Sequence, residues 1–493
     1  MSQPSSPFKS YDIRGLVGEE ITPAFASRLA LALCDVWEPT MVLIGFDMRE
    51  SSPALVHGLE GVFLAKGIDC INIGLCTTPV FNSAVAQNEA VDLGIMVTAS
   101  HNPSSYNGFK LCRKGAIPIG AGSGMEAIRD LFLNKEQEYS SLVNNVATSS
   151  TEVVGSKQQK EDAVATYLDR VITALPDQGA SLKATEPGSL KIVADAGNGM
   201  AGLTLPILAR KLPALSVTPL YWELDGTFPN HEANPLKVET LNVLRQRVVA
   251  EKAMLGFAFD GDGDRVGVVD EQGWIVPGDA LTALLARELL QQTPNAKILY
   301  DLRCSWSTPE AIQLAGGRPE LCRVGHAHIK QQMRSSGALF AGELSMHFYF
   351  ASFANCEASE YAMLLLIQLL QRTGRPLSEL WQPLICYAHS GEKNYRLSET
   401  SDQVLTRLQE RYASQATKAT LIDGLRYEFC DPAKPDQDWW FSVRASNTEP
   451  VLRLNVEARE RSRMEEKRVE LEYAIIGANG SAPSTHSPDL PSS

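Results

Sequence analysis

Short β-prone runs that end in aspartate recur along the chain, and they limit the possible fold more than any other feature. Met41-Val-Leu-Ile-Gly-Phe-Asp47, Lys191-Ile-Val-Ala-Asp195 and Lys297-Ile-Leu-Tyr-Asp301 each read as such a run near the start of a unit. A second run follows in each unit, Leu93-Gly-Ile-Met-Val97, Leu255-Gly-Phe-Ala-Phe259 and Leu339-Phe340, and each empties into a polar cluster containing Gly or Ser. Helix-length stretches lie between the runs. Strands alternating with helices imply α/β units built on parallel sheets. The spacings differ, so as a repeat the pattern is weak, but it predicts three related α/β units.

Residues from about Pro376 to Ile476 lack this pattern but contain the strand-like Trp439-Trp-Phe-Ser-Val443, which predicts a separate α+β domain. Glu136 to Lys160 is polar and rich in Ser, Thr and Gln, and reads as a linker holding the first boundary. The stretch Gly477 to Ser493 has almost nothing to bury and reads as a mobile tail. The expected division is therefore 1–160, 161–274, 275–375 and 376–476, with 477–493 as the tail.

The formal charge of 45 − 58 = −13 disfavours non-specific binding to nucleic acid or anionic membranes, so a phosphate-bearing ligand must be held by local positive charge. The longest apolar stretch, Ala362 to Leu370, is interrupted by Gln368 and is far short of the roughly 20 residues that span a bilayer. The first residues, MSQPSSPFKSYD, lack the apolar core of a secretory signal. Nine scattered cysteines with no CxxC pair argue against a disulfide framework or a structural zinc site. A soluble cytoplasmic protein is expected.

Four clusters could carry chemistry. In Asp260-Gly-Asp-Gly-Asp-Arg265, three carboxylates at alternate positions let a short loop wrap one hard cation. An EF-hand is the wrong reading, because Arg265 stands where the sharp turn needs Gly and the flanks are strand-like. A bare acidic turn is a poor alternative, since three anions this close repel without a counter-ion. Magnesium is the favoured ion. In Val97-Thr-Ala-Ser-His-Asn-Pro103, Ser100 is either a turn serine or a nucleophile shown at the carboxyl end of a strand. No GxSxG surrounds it, and a hydrolytic triad is not the expected use of an adjacent His101. Arg444-Ala-Ser-Asn-Thr-Glu-Pro450 with Arg453 offers an oxyanion cradle or a polar hairpin turn. Gly342-Glu-Leu-Ser-Met-His347 mixes donors and acceptors suited to sugar hydroxyls. A further stretch, Gly197-Asn-Gly-Met-Ala-Gly202, fits a dinucleotide fingerprint, which is short and common by chance and leaves the other clusters unexplained.

Taken together, these stretches resemble the α-D-phosphohexomutase family, most closely its phosphomannomutase and phosphomannomutase/phosphoglucomutase branch. The matching segments run from FKSYDIRG through TASHNP, DAGNGMAG, DGTFPNHEANP, DGDGDR, VGHAHIK and GELSMH to RASNTEPVLRLNVE. The resemblance implies four domains around a central cleft. It implies a phosphoryl group on Ser100, with Mg²⁺ held there by Asp260, Asp262 and Asp264. It implies Arg444, Ser446, Asn447, Thr448 and Arg453 on the non-reacting phosphate, and Glu343, Ser345 and His347 on the sugar. Tyr11, Arg14, Lys110, Arg265, Arg303 and His326 fall around the reacting group, with Lys110 and His347 as general acid or base. The implied reaction passes through a hexose 1,6-bisphosphate, and a monomer or weak homodimer is expected. Mannose phosphates are the expected substrates, with glucose phosphates or dual specificity as the alternative, and a non-catalytic sugar-phosphate binder as the alternative of another class. The branch usually carries GEMSGH or GEMSAH at the sugar loop. Here Leu344 and Met346 differ, and the bulk of Met346 is expected to narrow the pocket or alter the choice of C2 epimer. The glucosamine branch usually has Gln where Leu344 stands, and so fits less well.

Overall fold

The computed structural model describes residues 7–148, 155–160, 162–445 and 451–476. Among these, the chain forms four sheets in sequence order, of seven, five, five and six strands. The tail at 477–493 lies outside the described residues.

The three expected α/β units share one construction. In each, two parallel strands lie side by side and an antiparallel strand follows: Met41–Phe46, Leu93–Val97 and Tyr106–Arg113 in the first; Leu190–Asp195, Leu255–Phe259 and Val266–Asp270 in the second; Lys297–Asp301, Phe340–Gly342 and Phe348–Phe350 in the third. The strands Leu93–Val97, Leu255–Phe259 and Val266–Asp270 are buried at every position. That is why they read as unbroken apolar runs rather than alternating ones. The aspartates that end the first strands explain the recurring signal. Asp47, Asp195 and Asp301 each accept the backbone N–H two residues on, from Arg49, Gly197 and Arg303, at 3.1, 2.8 and 2.7 Å. This Asx turn leads the chain off the carboxyl end of each strand in the same way.

The fourth sheet differs. Its strands Leu425–Phe429, Trp439–Ala445 and Val451–Ala458 are antiparallel neighbours. They enclose a core of their own around Tyr427, Phe441, Leu454 and Leu471. One continuous core, by contrast, runs through the first three units from Leu43 to Trp381. The second sheet closes with Ile275–Val276, just past the break expected at residue 274.

The segment Glu136 to Lys160 is not the plain linker its composition suggests. Glu136–Thr148 is helical, and Lys157–Gln159 adds an edge strand to the first sheet. The buried Tyr139, whose hydroxyl donates to Asp35 at 2.8 Å, and the half-buried Val143 anchor a largely polar helix. All nine cysteines are free. No described helix is long and apolar enough to cross a membrane.

Candidate active site

In each α/β unit, the turn between the second parallel strand and its antiparallel neighbour carries one of the chemical clusters: residues 98–105 with Ser100, 260–265 with the aspartates, and 343–347 with Glu343 and His347. A shared construction thus delivers three different loops to one place.

Ser100 is 2% exposed and holds a left-handed backbone, φ +52°. Its N–H donates to Thr98 Oγ1 at 2.9 Å, and its carbonyl accepts from Arg49 at 2.9 Å. Arg49 also reaches the carbonyls of Asn102, Pro103 and Tyr106, so one buried guanidinium fixes the whole serine loop. Ser100 Oγ donates to Asp260 Oδ2 at 2.9 Å across 160 residues of sequence. His101 Nδ1 lies 3.2 Å from the same oxygen, so the adjacent histidine does reach the hydroxyl.

Asp260, Asp262 and Asp264 are buried, and each offers a carboxylate oxygen within 4.8 Å of the others. Burial, together with the neighbouring Asp264 and Asp262, pushes Asp260 up to about 8. Asp262 Oδ1 is buried with no hydrogen-bond partner among the described residues. Three hard-oxygen donors converging on one point, one of them orphaned, fit a divalent cation such as Mg²⁺. Lys110 supplies part of the compensation, with Nζ at 2.6 Å from Asp262 and 2.5 Å from Asp264. Burial opposes its charge, but the two carboxylates prevail and raise it above the ordinary lysine value. Thr78 braces the loop from the first unit, donating through Oγ1 to Asp262 Oδ2 at 2.6 Å.

The sugar-loop residues continue the line. His347 Nε2 lies 3.2 Å from Asp264 Oδ1, and its Nδ1 lies 3.0 Å from Glu343 Oε2 and 3.1 Å from Ser345 Oγ. Burial alone would lower His347, but Asp264 and Glu343 on either side raise it to about 9 and keep it cationic. Arg265 Nε sits 3.2 Å from His347 Nε2 and 3.9 Å from Asp260. Glu343 also accepts from Tyr349 at 3.0 Å and from the Gly325 N–H at 3.0 Å. Arg303, paired with Asp301 at 2.7 Å, lies 3.5 Å from Glu343 and 3.8 Å from Glu392. Glu392 in turn faces Arg444 at 3.4 Å and Arg453 at 3.0 Å. Three guanidiniums around one carboxylate leave a positive basin suited to an anion. Ser446, Asn447 and Thr448, expected in the same cradle, lie outside the described residues.

Arg14 donates to the carbonyl of Ala99 at 3.1 Å and to Asn102 Oδ1 at 2.7 Å, so it belongs to the serine loop. Tyr11 donates to the carbonyl of Val324 at 3.2 Å, and its ring meets the edge of His326. His326 is driven well below the usual histidine range by burial and by Lys330 and Lys110. Its Nε2 is buried with no hydrogen-bond partner among the described residues.

One expectation needs correction. Met346 does not narrow the pocket: it takes a left-handed backbone, φ +67°, is 6% exposed and joins the interior core beside Gly267. The Gly197–Gly202 stretch, set aside above as a chance fingerprint, is not an open phosphate loop. The Met200 N–H donates to the carbonyl of Gly261 at 2.9 Å, and a Cβ at Gly199 would meet that same oxygen. The turn is filled by the aspartate loop. Sequence reasoning missed Arg49, Asp301, Thr78 and Glu392. The paired Asp47-x-Arg49 and Asp301-x-Arg303 carried the available signal for the first two.

Comparison with known proteins agrees with this arrangement. Models of the phosphoglucomutase/phosphomannomutase family match all four parts: α/β/α domain I at 5–139, domain II at 165–273, domain III at 277–386 and the C-terminal domain at 392–473. The chain is 37% identical over 453 residues to a protein named phosphohexose mutases from Xanthomonas campestris, covering 92% of this chain and 95% of that one. It is 37% identical to a phosphomannomutase from Salmonella typhimurium, covering 92% and 94%. It is 35% identical to one from Methanocaldococcus jannaschii, covering 96% and 98%. A solved phosphoglucomutase/phosphomannomutase family protein from Burkholderia thailandensis superposes with a TM-score of 0.81 at 31% identity, covering 96% and 97%. The chain therefore belongs to the phosphoglucomutase/phosphomannomutase family and is an isomerase-type phosphotransferase.

Proposed function

We propose that the protein interconverts mannose 6-phosphate and mannose 1-phosphate through a phosphorylated Ser100 and a hexose 1,6-bisphosphate. The observation that carries this reading is the contact between a strained, buried serine hydroxyl and the aspartate trio. A nucleophile and a cation-binding cluster from different units meet there at 2.9 Å. Asp260, Asp262 and Asp264, with the Ser100 phosphoryl group, would hold Mg²⁺, which would offset the charge of the phosphoryl oxygens. A free sugar hydroxyl bonds to phosphorus as the bond from Ser100 Oγ to phosphorus breaks. The hydroxyl's proton ends on Ser100 Oγ, with Lys110 and His347 as its carriers. Such transfer depends mainly on positioning and charge stabilisation, which Arg14 and Arg265 supply beside the serine. The bisphosphate then turns end for end and returns its other phosphate to Ser100. Arg444 and Arg453 hold whichever phosphate is not reacting, and Glu343, Ser345 and His347 hold the sugar.

Glucose phosphates are the second substrate pair, and one observation favours them: Met346 points into the core, leaving no added bulk at the sugar loop to separate the C2 epimers. Purified protein with Mg²⁺ and a trace of hexose 1,6-bisphosphate should convert mannose 1-phosphate and glucose 1-phosphate. No conversion of either would refute the assignment. Intact-mass analysis distinguishes a non-catalytic binder, whose Ser100 would not be charged by the bisphosphate.

A further inference from the structure

Arg303 is the link between the sugar loop and the phosphate basin, and the loop that carries it is held from outside its own domain. Arg426, on the strand Leu425–Phe429 of the fourth sheet, is 2% exposed. Its Nη1 donates to the carbonyl of Leu302 and, at 3.3 Å, to that of Cys304, the two residues flanking Arg303. Trp440 from the next strand stacks under the same guanidinium at 3.8 Å. The far end of the loop is tied to the same sheet. Glu457 accepts the Trp306 backbone N–H at 2.9 Å and the Trp440 indole at 2.7 Å, while Glu428 accepts the Trp306 indole at 3.0 Å. A buried charge is costly unless it is fully hydrogen-bonded. Among the described residues, Arg426 Nε has no hydrogen-bond partner and only Glu428 at 3.5 Å to offset its charge, so the bonds from Nη1 to the two carbonyls of the other domain's loop carry most of the compensation and tie that loop to the guanidinium.

We propose that Arg426 is a positioning residue: through the carbonyls of Leu302 and Cys304 it sets the reach of Arg303 toward Glu343 and Glu392, so the C-terminal domain aims a side chain of the sugar-binding domain. The Arg303 loop is then tied to both sheets, to the third through Asp301 and Asp279 and to the fourth through Arg426, so that sugar and phosphate contacts form together. The kinetic part of this inference rests on the mutase reading above, while the structural part does not.

The test compares wild type, Arg426→Gln, Arg303→Met and the double variant, all as full chains. Arg426→Gln should raise KM for mannose 1-phosphate about tenfold and leave kcat within about twofold, the tenfold corresponding to about 1.4 kcal/mol. Added to Arg303→Met, it should change KM by less than about twofold, because its effect passes through Arg303. Hydrogen exchange at the Trp306 amide, read without any substrate, should speed up in Arg426→Gln. If Arg426→Gln does not fold, Trp306→Phe, which removes the indole donor to Glu428 together with part of the ring packed on Tyr387, should raise KM and speed exchange at the residue-306 amide. Independent losses in the double variant, or unchanged Trp306 exchange, would overturn the proposal. Faster Trp306 exchange in Arg426→Gln, beside a wild type that turns over no hexose phosphate, would sink the mutase reading and leave the anchoring intact.

Discussion

Ser100 occupies backbone space that costs a non-glycine residue roughly 1–3 kcal/mol, and Arg49 holds it there. Strain of this kind persists only where surrounding contacts over-determine it. Ser100→Ala keeps the backbone and loses only the hydroxyl. It should abolish mutase turnover while leaving Tm within a few degrees. A large fall in Tm, measured by calorimetry, would make the serine a structural turn residue instead. At this scale the sequence was informative where side chains act on a ligand and silent where they act on backbone. Asp260, Asp262 and Asp264 announce themselves by spacing, because one ion needs several oxygens together. Arg49 and Arg426 spend their donors on carbonyls that every residue carries, so nothing in the local sequence marks their targets.

The Asx turns and the loops that follow them are the working elements. Gly261 lies between two of the aspartates, and a Cβ there would fall on the carbonyl oxygen of Ser100. Gly261→Ala should therefore push the serine and aspartate loops apart, costing about 2 kcal/mol in chemical denaturation and most of the activity. In the second unit the Asx carboxylate Asp195 meets His231 Nε2 at 3.1 Å. Burial lowers His231, but the bond and charge of Asp195 outweigh it and the net shift is upward. The folded state thus holds the proton more tightly than the unfolded chain. The stabilisation is fully present below about pH 6.5 and is lost as pH rises through the folded value. The stability gap between wild type and His231→Gln should shrink with rising pH across that window; a gap that widens would contradict the pairing. Strands were legible because burial on both faces demands unbroken apolar runs. The helix at Glu136–Thr148 was not, since only Tyr139 and Val143 among its described side chains pack against the core, and the inward turn of Met346 depends on a positive φ that no residue pattern announces.

Over the whole molecule, one core from Leu43 to Trp381 joins the first three units, the first unit keeps a second core on the other face of its sheet around Leu93, Ile95 and Val97, and the fourth sheet has its own. Hydrogen exchange in rising denaturant should therefore show amides of the helix Thr78–Gln87 and the strands Leu255–Phe259 and Lys297–Asp301 merging into one opening reaction, with Trp439–Ala445 following another. Separate openings for these three segments would contradict a shared core. The number and type of units could be read from the recurring strands. Which faces meet could not, because contacts such as Ser100 to Asp260 are fixed by packing between units rather than by local pattern. The account turns on a serine hydroxyl that exchanges phosphate beside the aspartate trio. Incubating the protein with Mg²⁺ and glucose 1,6-bisphosphate, then mapping phosphate by intact mass and peptide analysis, tests this directly. One phosphoryl group on Ser100, dischargeable to added hexose monophosphate, is the predicted result. A Ser100 that stays unmodified, or a phosphate mapped to another residue, would contradict it.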